Sequence, residues 1–201
     1  MSSVMSVSAE QRALQSQRAI LESARREIER NGILGLRVAD VAEGANCSIT
    51  QIYRYFDNRD GLLARVLGDL YEEILTSAST SYRMAIQARE ALTVADLVDA
   101  LPNVVDGEST VGQRLRLQIL AASVTNDPLR SRLEEITRSQ ARIWEEGLDE
   151  IERRLAPGET FDRRVFMIFI ANFLPYYRHL LGEKGFSNEE FRRFLREKMS
   201  C

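Results

Sequence analysis

Apolar residues along this chain return every three or four positions, the period of one face of a helix. No stretch alternates apolar and polar as a half-buried strand does. The first such face carries Leu14, Leu21, Ala24 and Ile28. Ser8-Ala-Glu-Gln11 precedes it at capping-box spacing, and Asn31-Gly32 closes it with residues that tolerate a left-handed backbone. Two short helices follow, Val38–Ala45 and Ser48–Tyr55. Asp57-Asn58 then caps a fourth, which starts at Arg59, carries Leu62, Leu63, Val66, Leu67, Leu70 and Ile74, and runs to about Arg89. Thr93 caps a short helix through Leu101 that Pro102 ends, and Asn103–Thr110 is a loop. Val111–Val124 is another helix. Asp127 as cap and Pro128 as first helical residue open a long one that reaches about Leu155, where Ala156-Pro-Gly158 stops it. Thr160 opens a helix through Leu181. Ser187-Asn-Glu-Glu190 is a second capping box, leading a last helix to about Lys198. About nine helices result. The fold class is all-α, with an N-terminal three-helix domain over residues 1–58 and a larger helical domain over 59–201.

Composition fits this picture without changing it. The chain has 201 residues, 44% hydrophobic and 28% charged, as an ordinary globular protein has. The longest apolar run, Val165–Leu174, falls short of the roughly 18 residues of a membrane span and is interrupted by Asn172 and Pro175, so no membrane partner is expected. Met1–Glu10 has neither the basic start nor the apolar stretch of a signal peptide. Two cysteines, Cys47 and Cys201, make no disulfide framework, and a reducing cytoplasm is the expected location. The single histidine, His179, has no second ligand at zinc spacing, and no phosphate loop or nucleophile elbow occurs. No catalytic residue, metal or cofactor is expected.

The chemistry sits in the second and third helices. Two short helices joined by a tight turn make a helix-turn-helix, whose second helix can lie in a DNA major groove. Val41 and Ala42 face Ile52 and Phe56, and Leu21, Ala24 and Ile28 close that small core. Asn46 stands in the turn, where a positive φ is needed. Ser48 is the cap, with Gln51 as its capping-box partner or as a base reader. Ile49, Thr50, Gln51 and Tyr53 are offered to bases, while Tyr53, Arg54, Tyr55 and Arg59 suit phosphates. Net charge is −3, and residues 1–60 hold eight Arg against eight Asp plus Glu. DNA affinity here rests on placed arginines rather than on a basic field.

Ile20-Leu-Glu-Ser-Ala24, Gly32, Val38-Ala-Asp-Val-Ala42, Ala45, Ser48, Ile52-Tyr-Arg-Tyr-Phe56, Arg59-Asp60 and Leu62-Leu63 together resemble the N-terminal signature of the tetracycline-repressor family of bacterial transcription regulators. The register is unbroken over about residues 15–66. Three positions depart from the pattern. Asn46 replaces a common Gly, Arg59 replaces a Lys, and Arg37 stands where a small hydroxyl residue is usual and offers a phosphate contact. The resemblance implies an all-helical homodimer that binds double-stranded operator DNA. It also implies a variable body that takes a small-molecule effector.

In that body, Phe161–Leu181 is apolar nearly all round. The resemblance implies a dimer bundle built from the last two helices. It places Phe166, Ile170, Leu174, Tyr177, Phe191, Phe194 and Leu195 at the interface, a core within one chain being the other reading. Pro175 kinks the helix beside polar and aromatic residues. The expected cavity takes an apolar or aromatic ligand and is lined by Tyr71, Met84, Leu117, Leu120, Trp144, Phe169, Asn172, Phe173 and Tyr176. The expected function is a repressor that such a ligand releases from a palindromic operator. An activator or ligand-independent regulator is the alternative within the family. A helical enzyme or interaction module with a cavity is the alternative outside it.

Overall fold

The computed structural model describes residues 2–101, 111–166 and 188–199. Eight helices of six residues or more are described: α1 (Ser2–Gly35), α2 (Val38–Gly44), α3 (Ile49–Phe56), α4 (Arg59–Gln87), α5 (Val94–Asp99), α6 (Val111–Ser123), α7 (Asp127–Arg153) and α8 (Asn188–Met199). A further helix opens at Arg163. The one extended pairing among the described residues is an isolated parallel bridge between Leu92 and Leu155. No helix among them is long and apolar enough to cross a membrane.

The chain forms two compact units. The first comprises residues 1–72 with 117–136, and the second 73–116 with 137–201, so all three divisions between them fall inside helices, α4, α6 and α7.

In the first unit, α1, α2 and α3 enclose Ile20, Ala24, Ile28, Val41, Ala42, Ile52 and Phe56. The apolar stripe of α1 is rotated from the expected one. Ile20 is fully buried, whereas Leu14 is half exposed and Leu21 only partly covered. The helix also begins well before Ser8, which lies inside it and starts nothing. Gly32 breaks its geometry (φ 72°, ψ 172°), as the Asn-Gly pair suggested, but helix resumes to Gly35. Gly44 lies where α2 meets α1, and a Cβ there would overlap the Ser23 hydroxyl. The α2 terminus is closed by two bonds, Cys47 N–H to the Ala42 carbonyl (3.0 Å) and Asn46 N–H to the Glu43 carbonyl (3.1 Å). This is the Schellman pattern, with Asn46 at φ 50° as the turn requires. In the rest of the unit Leu62, Leu63, Val66 and Leu67 of α4, Ile119 of α6, and Leu129, Leu133 and Ile136 of α7 are buried. Asn126, not Asp127, caps α7. Its Oδ1 accepts from Leu129 N–H (2.8 Å), and its amide donates to the Asp60 carbonyl (3.1 Å). Asp127 is already helical.

The core of the second unit joins Tyr82, Ile86, Leu92, Val94, Leu97, Val98, Leu148, Ile151, Phe166, Leu195 and Met199. Phe166 rests its ring against Phe161 (5.5 Å), Tyr82 (5.8 Å) and Trp144 (6.0 Å). α5 has a full capping box between Thr93 and Asp96. At its other end Arg192 of α8 donates to the carbonyls of Val98 (2.7 Å) and Leu101 (2.6 Å). Asp162, two residues after the expected Thr160, caps the helix that opens at Arg163, accepting from Arg164 and Val165 N–H.

Two interface expectations change here. Phe166 and Leu195 are fully buried within their own chain, so neither has surface left to give a second copy. Their apolar character serves the chain's own core. Phe194 is 41% exposed on α8. Ile170, Leu174 and Tyr177 lie outside the described residues, as does the side chain of Phe191.

Candidate nucleic-acid interface

α3 is held on one side and open on the other. Ile52 and Phe56 bury its inner face, four residues apart on one stripe. Ile49, Thr50, Tyr53 and Arg54 form the exposed face, with Ile49 at 41% and Tyr53 at 39% exposure. Ser48 has the extended backbone of an N-cap and its hydroxyl accepts from Gln51 N–H at 3.1 Å. Ser48 itself is exposed, so its backbone end faces outward with the free N–H groups of the first turn. A helix head with exposed small and aromatic side chains and unpaired N–H groups is suited to base edges and phosphates.

The other expected contacts are not equally available. Gln51 is only partly exposed, and its amide donates to the Ser16 hydroxyl of α1 at 2.7 Å. It therefore makes one half of the expected capping box, through its backbone N–H, while its side chain turns to a different helix. Arg54 lies over the Tyr55 ring at 5.0 Å and donates to its hydroxyl at 3.2 Å. Arg37 is the exposed N-cap of α2 and makes no side-chain cap. Arg59 is half-buried and donates to the Leu36 carbonyl at 3.3 Å, binding the start of α4 to the link between α1 and α2. Sequence reasoning missed Ser16. The signal for it is weak: Ser16, Ile20, Ala24 and Glu27 share one face of α1, visible only once Ile20 and not Leu21 is placed inside.

Cys47 follows the turn as a partly covered free thiol, and burial pushes its pKa up. A protonated thiol is a poor nucleophile, which suits a packing role. Among the described residues no group of three or more His, Cys, Asp or Glu is placed to hold a metal.

The second unit holds a cavity of about 460 Å³. Ser79, Tyr82, Arg83, Ile86 and Gln87 line it from α4, and Ile143, Trp144, Glu146, Gly147, Glu150 and Ile151 from α7, with Arg154 beyond. Both sets follow helical spacing, so each is one helix face. Trp144 and Tyr82 stand 5.5 Å apart. Arg154 is occupied, donating to the carbonyls of Ile86 (3.1 Å) and Arg89. Of the expected lining, Trp144 is in this cavity. Met84 is 66% exposed and outside it, because it falls on the opposite side of α4 from Tyr82 and Ile86. Tyr71, Leu117 and Leu120 belong to the first unit and do not line it. Phe169, Asn172, Phe173 and Tyr176 lie outside the described residues.

Residues 20–66 match the family model described as bacterial regulatory proteins, tetR family. No curated protein sequence matches the chain. Similar solved structures share the fold at low identity. A protein of Mesorhizobium loti assigned to the tetR family of transcriptional regulators aligns with TM-score 0.66 and 13% identity, over 92% of this chain and 94% of that one. The multidrug binding protein EbrR complexed with imidazole aligns with TM-score 0.59 and 19% identity, over 92% and 95%. A member of the family from Streptomyces coelicolor aligns with TM-score 0.56 and 19% identity, over 92% and 99%. Residues 20–66 thus carry the signature segment of bacterial regulatory proteins of the tetR family, folded here as a capped helix-turn-helix, and the chain shares the all-helical fold of these solved structures.

Proposed function

We propose that this protein is a repressor that binds a palindromic operator as a homodimer and leaves it when an aromatic small molecule fills the cavity between α4 and α7. The observation that carries the DNA half is the open face of α3, Ile49, Thr50, Tyr53 and Arg54, set on the buried pair Ile52 and Phe56. Ile49 meets a thymine methyl, Thr50 hydrogen-bonds a base edge, and Tyr53 and Arg54 hold phosphates, with Arg37 and Arg59 at the flanks. Dimerisation runs through the last helices, using Phe194 and the remaining apolar residues named for that face.

The effector half rests on the cavity itself. Its volume is within the roughly 300–1,000 Å³ of small-molecule sites. Tyr82 and Trp144 offer ring faces suited to an aromatic ligand, while Glu146 and Glu150 are balanced in the same lining by Arg83 and Arg154, and Glu150 is paired with Arg153 (2.8 Å). A structural relative, EbrR, is a multidrug binding protein solved with ethidium (TM-score 0.57, 18% identity).

A mobility shift on operator DNA selected from random duplexes tests the reading. Binding is expected to weaken linearly in log–log form as salt rises, as for any contact set that releases phosphate counterions. Tyr53→Ala is expected to weaken all sequences alike. Thr50→Ala is expected to relax one base position by about 1–3 kcal/mol. If both variants bind as the parent does, α3 is not the reader.

A further inference from the structure

The head of α3 contains one side chain with a special aptitude for adenine, because a glutamine amide can pair with both N6 and N7 of that base. That side chain, Gln51, is the one turned away. Its amide nitrogen donates to Ser16 Oγ of α1 at 2.7 Å, across 35 residues of chain. Its backbone N–H is held by the hydroxyl of Ser48 (3.1 Å) and by the Ser48 carbonyl (3.0 Å), so the residue is fixed at both ends. Its neighbours Ile49, Thr50 and Tyr53 remain exposed.

Ser16 lies one helical turn before Ile20, which is fully buried in the three-helix core. Its hydroxyl is thus carried on the face of α1 that holds Ile20. A hydroxyl at that place can accept the amide. An alanine leaves the amide with no partner there, and water or a base edge then takes it. A neutral hydrogen bond of this kind favours the held position roughly two- to tenfold over the released one.

We propose that Ser16 is a specificity-determining residue: it withholds the Gln51 amide from the major groove and confines reading to Ile49, Thr50 and Tyr53. This rests on α3 as the DNA reader. The residue acts through Gln51 and touches no base itself.

Operator selection from a random duplex library tests it, using the full chain as wild type, Ser16→Ala, Gln51→Ala and the double variant. Circular dichroism confirms helix content in each. Gln51→Ala is expected to select the wild-type motif with affinity within about twofold. Ser16→Ala is expected to keep that motif and gain an adenine preference at one further position in each half-site. The double variant is expected to return to the wild-type motif. Should Ser16→Ala fail to fold, Ser16→Thr and Ser16→Val serve instead: the first keeps an acceptor and the wild-type motif, and the second behaves as alanine does. A position lost in Gln51→Ala shows that Gln51 already reads bases and overturns the proposal. So does an unchanged motif in Ser16→Ala or Ser16→Val. A wild-type protein that enriches no motif at all overturns the reading of α3 beneath it, which separates the two failures.

Discussion

At the scale of single residues, close approach and burial decide more than residue type. Gly61 sits in the first turn of α4, where its N–H donates to Asn58 Oδ1 at 2.9 Å. A Cβ there would overlap the Phe56 carbonyl oxygen at the end of α3. Backbone atoms cannot swing aside as a long side chain can. Gly61→Ala must therefore push the start of α4 from the end of α3, with a stability loss of about 1–3 kcal/mol, read as a lower urea midpoint at unchanged slope. Tyr82 is a different case. Its hydroxyl is buried and donates to the Leu97 carbonyl at 3.1 Å, and burial pushes its pKa well above the usual 10. The folded state holds the phenolic proton more tightly than the unfolded chain does. Its contribution is therefore complete below about pH 10 and is lost as pH rises past that value toward the folded pKa. Tyr82→Phe leaves the Leu97 carbonyl without this partner and costs about 0.5–1.5 kcal/mol at neutral pH. That deficit is expected to stay level to about pH 9.5 and then to shrink, by about 0.8 kcal/mol at about pH 10.5. A constant deficit across the range would contradict the burial argument.

At the scale of elements, caps join pieces distant in sequence. Asn126 is buried, holds the first turn of α7 through Leu129 N–H, and reaches the Asp60 carbonyl in the first turn of α4. Asn126→Ala removes both bonds inside a covered site. A loss of about 1–2 kcal/mol in unfolding free energy is expected, against a few tenths for Asp127→Ala, whose side chain is exposed. The same pair shows what a sequence discloses. Helix starts and stops at Ser48, Asn58, Thr93 and Gly158 were legible, because capping is local chemistry between residues two or three apart. The choice between Asn126 and Asp127 was not, since both types cap and only burial separates them. Ser8 has cap spacing, but α1 runs through it from Ser2, and spacing alone does not fix where a helix begins. Leu14 and Ile20 differ by a rotation of the apolar stripe that the spacing of apolar residues on α1 leaves open. Phe166 and Leu195 read equally well as core or interface, because both environments select apolar side chains. The site divided likewise. Ile49, Thr50, Tyr53 and Arg54 followed from position on α3, whereas the Gln51–Ser16 bond joins helices and has no sequence pattern.

At the scale of the whole molecule, the proposed repressor has to make one binding event weaken another. A dimer is expected to hold its two α3 helices about 34–36 Å apart, one DNA turn, so that operator half-sites inserted at half-turn offsets lose binding. The chain passes between its two compact units within α4, α6 and α7, and the later turns of α4 and α7 line the cavity. An effector there acts only through its different affinity for the DNA-competent and released forms, since equal affinity shifts nothing. Trp144 makes this measurable. It is the single tryptophan of the chain, it lines the cavity, and its ring meets Tyr82 and Phe166. Fluorescence therefore reports occupancy of this cavity without added label. Titration with a planar aromatic compound is expected to quench it saturably, and operator release is expected over the same concentration range. Trp144→Leu keeps the apolar contact but loses the stacking face. It should bind operator as the parent does and need about 3- to 10-fold more effector for release, the worth of one aromatic contact. Quenching that saturates while operator affinity stays constant would mean that the cavity binds without regulating. Release in Trp144→Leu at the parent concentration would place the effector elsewhere.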